Sequence, residues 1–176
     1  MRRNKLSLPL AIASASIVAL PALTFATEQS AKLSTDQSAK ISANCSSIRQ
    51  NLKNLQRSDS RARTYFGAIY ETFSSKYLKP LNLRLVNNDI SNPELVKLQT
   101  FFATARSNFS EDFIDYSKTL EELISIDCRL EPEIFYQKLV DARKKRALVA
   151  EDVETLNNYL VNSVKKVETL KESLNK

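Results

Sequence analysis

From Cys45 to the end of the chain, apolar residues recur at alternating steps of three and four, and that regularity leaves room for helices and little else. Cys45, Ile48, Leu52, Leu55, Asp59, Ala62, Phe66, Ile69 and Phe73 make the first run, one stripe of an amphipathic helix. Asp59 is the member that a core should resent. The run ends or kinks at Pro80, where the ring and the missing N–H disturb a helix. Ser91-Asn92-Pro93-Glu94 then supplies a capping side chain, an early proline and a Glu three after the Ser, the opening of a second helix. It carries Leu95, Leu98, Phe102, Ala105, Phe109, Phe113, Tyr116, Leu120 and Leu123. A third starts near Pro132 and keeps strict spacing from Phe135 through Leu139, Ala142, Arg146, Val149, Val153, Leu156 and Leu160 to Leu174. Gly67 is the single glycine, and strand-like alternation survives only at Leu81, Leu83 and Leu85. The fold class is all-α, an antiparallel three-helix bundle or coiled-coil rod over 45–176.

Ahead of the bundle, Arg2, Arg3 and Lys5 precede an uncharged stretch from Leu6 to Phe25. Thr24-Phe25-Ala26 offers small residues where a signal peptidase inspects them, so residues 1–26 read as a signal peptide cleaved after Ala26. The competing reading is an uncleaved anchor, since the apolar run approaches the ~20 residues a span needs, but Pro9, Pro21 and the many Ser and Ala weaken it. Membrane association is expected only if the segment is kept. Cys45 follows Ser-Ala-Asn, which is no lipoprotein signal. Residues 27–44, with QSAK repeated and Leu33 and Ile41 as their only large apolar side chains, read as a flexible tether or nascent helix.

Export decides how the two cysteines are read. In an oxidising compartment an even pair is a disulfide more often than two thiols, and Cys45 with Cys128 is the pairing available. Helices running up, down and up put both at one pole. At ~1.5 Å per residue, Cys45 to Lys79 spans ~51 Å and Pro93 to Cys128 ~52 Å. A straight first helix reaching Asn87 would overshoot by ~10 Å, so a sharp change of direction is expected at Pro80.

The basic surplus narrows on inspection. The sequence carries 26 Lys and Arg against 20 Asp and Glu, a net +6; losing Arg2, Arg3 and Lys5 with the signal leaves 23 against 20, a net +3. That is weak for a specific nucleic-acid binder. Arg143, Lys144, Lys145 and Arg146 form a possible anion-binding patch, and a blander account competes with it. Arg49, Lys53, Arg57, Arg61 and Arg63 of the first helix lie at the cysteine pole with Lys138 and residues 143–146 of the third. Glu111, Asp112, Asp115, Glu121, Glu122 and Asp127 of the second lie at the same levels. An acidic helix between two basic ones selects a register.

Tyr65, Phe66, Tyr70, Phe73 and Tyr77 fall at the levels of Phe101, Phe102, Phe109 and Phe113, an aromatic half-core. Phe101, Tyr70 and Tyr136 are the candidates to point outward, and an exposed aromatic row would mark a partner groove. With no histidine and one glycine, the usual Ser-His, Cys-His, metal and phosphate-loop arrangements lack their parts. No catalytic, cofactor-binding or metal-binding residue is assigned, and no enzyme is expected.

The segments "SIRQNLKNLQRSDSRARTYFGAIYETF" and "YSKTLEELISIDC", set in a chain of signal, tether, two cysteines and three helices, resemble small secreted all-helical two-cysteine proteins of unassigned function from host-associated bacteria with small genomes. The resemblance implies a secreted, periplasmic or cell-surface location and adds no site residue. The resulting expectation is a helical interaction or structural module that presents a face to a protein partner. A periplasmic-type holdase chaperone and a basic-patch binder of anionic envelope polymer are the alternatives. Finally, the third helix, ~64 Å from Pro132 to Asn175, outruns the second. Val167, Leu170 and Leu174 are therefore covered by Leu81, Leu83 and Leu85 or form an exposed stripe, and the cap is the preferred expectation.

Overall fold

The computed structural model describes residues 33–175. Residues 1–26, expected as a signal peptide, and 27–32, the first part of the expected tether, lie outside the described residues. Helix α1 (Thr35–Thr72) passes through a six-residue π-helical segment (Phe73–Leu78) into α2 (Lys79–Asn87); α3 (Pro93–Ser125) and α4 (Pro132–Leu174) follow. The described chain is three long helical rods, the first of them built from α1, the π segment and α2. The all-α bundle expected from the spacing is the fold observed.

The first rod sharpens two expectations. Residues 35–44, expected as a flexible tether or nascent helix, are helical. Ser34 closes a capping box, accepting from the Gln37 N–H at 3.2 Å while the Gln37 side chain accepts from the Ser34 N–H at 3.0 Å, which satisfies donors left over in the first turn. Ile41 packs against the disulfide-pole core, so the segment has a reason to stay ordered that its sparse apolar content concealed. Pro80, in turn, does not end the helix. The turn before it widens, and the Lys79 N–H reaches back five residues to the Ser74 carbonyl. That accommodates a proline whose ring and missing N–H an α-helical turn tolerates badly. Helical hydrogen bonding then continues to Asn87, and Leu81, Leu83 and Leu85 are helical rather than extended.

The end of α2 is a Schellman turn. The Ile90 N–H bonds the Leu85 carbonyl at 2.9 Å and the Asp89 N–H bonds Val86 at 3.1 Å, with Asp89 in the left-handed region at φ 57°, where Asp is better tolerated than most side chains. Asn92 caps α3, accepting from the Leu95 N–H at 3.1 Å, and Pro93 opens it as the sequence suggested.

Two apolar clusters fill the bundle. At one pole, Cys45, Leu52, Phe113, Tyr116, Leu120, Leu123, Cys128, Phe135 and Ala142 are buried together; towards the other, Tyr70, Leu78, Leu85, Leu95, Phe102, Ala105, Phe109 and Leu156. Truncating one of the fully buried leucines, such as Leu156, to Ala costs about 2 to 5 kcal/mol. The Cys45–Cys128 disulfide spans 5.5 Å between Cα atoms and closes 83 residues. In the chain-entropy model that loop is worth about 4.5 kcal/mol. Ser42 donates towards the carbonyls of Cys128 and Arg129 at 3.5 and 3.4 Å, tying this end of α1 to the same pole.

Candidate interaction groove

The register of α3 against α4 is written in charge. Lys138 pairs with Glu122 at 2.9 Å, Lys145 with Asp115 at 3.0 Å and Lys166 with Glu94 at 3.8 Å, each step forward along α4 matched by an equal step back along α3. Acids on the second rod and bases on the third thus meet as their levels predicted. The first rod behaves differently: its Glu71 takes Arg106 of α3, and Arg63 lies over the Phe113 ring, 5.2 Å from its centroid. Among the described residues no ion pair joins a base of α1 to an acid of α3.

Besides the disulfide, a clasp ties α1 to the other two rods. Asp59 sits on the inner stripe, where Arg146 approaches it with Nε at 2.7 Å and Nη2 at 3.1 Å, and Tyr116 donates its hydroxyl at 2.7 Å. Burial alone would push the Asp59 carboxyl up, but the hydrogen bonds from Arg146 and Tyr116 and the guanidinium charge hold it below the usual value. Further along the same helix, the Tyr70 hydroxyl donates to Asn157 Oδ1 at 3.2 Å. Asp59 with Arg146 and Tyr70 with Asn157 have the same sequence separation, 87, so α1 and α4 run parallel in one register.

The basic patch therefore divides. Arg146 is committed to Asp59, and Lys145 to Asp115, Asp141 and the Thr119 hydroxyl; Arg143 is exposed. These residues stand close in sequence, but two of them spend their charge on acids of the bundle's own helices while staying partly exposed themselves.

Between the clasp and the far pole a seam runs along α4, beside the packed Tyr70. Tyr65 and Ile69 of α1 and Phe73 and Tyr77 of the π segment repeat at steps of four on one wall, with Leu160 opposite. The seam widens at the π segment into an apolar groove of about 520 Å³, lined by Phe73, Tyr77, Leu78 and Leu81 on one wall and Val164 and Val167 on the other. Tyr77 is 63 % exposed, Tyr65 64 % and Val164 44 %. Lys76 and Arg84 edge the first wall and Glu168 the second.

Of the aromatic side chains expected to point outward, Phe101 does so in part, whereas Tyr70 is buried to 1 % and packs edge-on against Phe102 and Phe109. The outward pair is Tyr65 and Tyr77, which the sequence placed in the half-core. Their place in one row of steps of four, with Ile69 and Phe73 between them, was a usable signal. The cap over the third helix is partly realised. Leu81 and Leu85 pack in the same cluster as Val167 and Leu170, while Leu83 and Leu174 are exposed.

One acidic pair interrupts the α3–α4 seam. Asp152 shares a hydrogen bond with Asp112, its second carboxylate oxygen is buried without a partner, and burial, the Asp112 contact and the nearby Glu151 push its carboxyl up to about 6.

Among the described residues no group of three or more His, Cys, Asp or Glu is placed to hold a metal ion, and no helix is long and apolar enough to cross a membrane. No protein-family model, curated protein or solved structure matches the chain.

Proposed function

We propose that the protein is an exported, non-catalytic interaction module that takes the apolar face of a partner's amphipathic helix into the groove between the π segment and α4. The observation that carries this is the groove itself: an apolar trough with an exposed tyrosine on its rim. Monomeric proteins seldom leave such a patch without use, and aromatic rims are enriched where partners dock. Both walls present side chains at helical spacing, so a helix laid between them completes a four-helix arrangement. The rim charges add orientation: Lys76 and Arg84 favour acids along one edge of that helix, and Glu168 favours a base along the other.

Export to the periplasm, the cell surface or the medium is part of the proposal. Its support is the charged and apolar segments at 1–26 and the disulfide, since disulfides persist mainly outside the cytosol. Comparing Tyr77→Ser/Val164→Glu protein with wild type as bait in its native compartment tests the groove. A protein retained by wild type and lost by the variant, at unchanged thermal stability, is the expected outcome; equal recovery by both rejects the groove. Suppression by wild type of aggregation of several unrelated unfolded proteins would replace the selective module with a holdase.

A further inference from the structure

We propose that the disulfide pole carries a second, polar site, which binds a phosphate group between Arg49, Lys53 and Arg129. A concavity of about 330 Å³ lies there, lined by Cys45, Ser46, Arg49, Gln50, Lys53, Asp127 and Arg129. Its composition is the reverse of the apolar groove.

Its α1 wall follows from sequence spacing: Ser46, Arg49, Gln50 and Lys53 recur at steps of three, one and three, which places them on one face of a helix. The other wall is the α3–α4 turn, brought against α1 by the Cys45–Cys128 bond, so that Arg129 and Arg49 line one concavity.

Arg49 supplies the observation that points to a ligand. Its Nε is buried and has no acceptor within the protein, although buried donors are nearly always satisfied. The acid on the pocket wall does not meet it. Asp127 instead accepts the Arg129 backbone N–H at 2.9 Å. Three cations against one carboxylate leave the concavity with a net charge that complements a phosphate dianion, and a guanidinium offers the paired donors that a phosphate oxygen face accepts. Lys53 and Arg129 add charge from either side without the need for exact geometry. The phosphate is either free in solution or the headgroup of an anionic lipid, and the chemistry on the protein side is the same for both.

The test follows the Arg side-chain Nε–H and backbone amide NMR signals of the disulfide-bonded protein during titration with inorganic phosphate, with sodium acetate at matched ionic strength as the comparison. Sedimentation with phosphatidylcholine vesicles containing phosphatidic acid is run in parallel. Saturable shifts at Arg49, Ser46 and Arg129, larger for phosphate than acetate and weakened at least about tenfold in Arg49→Gln, are the expected result. Arg129→Gln, in an exposed turn, should weaken binding as well and serves if Arg49→Gln fails to fold. Binding to vesicles that depends on Arg49 assigns the phosphate to a headgroup, and binding of the free ion alone assigns it to solution. The site is overturned if phosphate produces no saturable shift and vesicles no Arg49-dependent sedimentation, if both variants bind as wild type does, or if the shifts centre on Arg143 and Lys144.

Discussion

Arg146, near the middle of the last helix, reaches the carboxylate of Asp59 on the first helix through two nitrogens, at 2.7 and 3.1 Å. A patch that reads in sequence as a surface charge run thus places one of its members on the seam, where it neutralises an acid that a core would otherwise reject. Asp59→Ala removes the acceptor for both Arg146 and the Tyr116 hydroxyl. A loss of roughly 1 to 3 kcal/mol is expected by denaturant unfolding, and Tyr116→Phe should cost less when combined with Asp59→Ala than it does alone. Because the Asp59 carboxyl is held below its usual value, its contribution is present above the unfolded carboxylate pKa. It is lost as the pH falls through the lower folded value, below about pH 4.

Asp152 has the opposite sign. Its folded pKa, raised to about 6, means that the folded chain holds a proton which the unfolded chain releases. The stability linked to that proton is complete below the unfolded value and lost as the pH rises through about 6. Asp152→Asn should therefore match wild type in acid and melt a few degrees higher at neutral pH. Melting curves across that range check it; a constant difference at all pH values would show that titration of the buried Asp152 carboxyl is not the cause.

The disulfide is checked by mass and by melting. Protein from an oxidising compartment should be two hydrogens lighter than the reduced chain. Cys45→Ser and Cys128→Ser should lose the same stability, up to about 4.5 kcal/mol, and the double substitution no more, since either one opens the loop. Full alkylation of both cysteines in the native protein would remove the bond from the fold.

Deleting residues 167–176 takes away Val167 and Leu170, which pack in one cluster with Leu81 and Leu85. A lower melting temperature and new protease cleavage near Leu83 are expected, because α2 loses one of the surfaces it lies on. Its remaining polar tie is Asn82, whose side-chain amide donates to the Leu95 carbonyl at 3.2 Å and to Gln99 at 2.7 Å.

Local signals carry the helices and the cysteine pairing. Leu52, Phe102, Phe113, Leu120 and Leu156 are buried where the three-and-four spacing puts them, and Asp59 stands out as the misfit of its stripe. Its partner does not, because Arg146 is 87 residues away and the pairing depends on how α1 and α4 slide together. Residues 35–44 look like tether because their order comes from Ile41 and Ser42 meeting the pole, not from local apolar content. Pro80 announces a disturbance but not its form. Widening the preceding turn keeps the helix going, and Tyr77 within that turn stands exposed, so a groove wall reads in sequence as core.

The groove is tested most directly by photo-crosslinking from its rim. Protein carrying p-benzoylphenylalanine in place of Tyr77 is expressed in its native compartment and irradiated, and the adducts are identified by mass spectrometry. The comparison places the same group at Ile114, which is exposed on α3. One dominant adduct from position 77, mapped to an amphipathic helix of a single protein and abolished by Val164→Glu, is the predicted result. No adduct from 77, adducts spread over many unrelated chains, or equal trapping from 114 would contradict the groove as the docking surface.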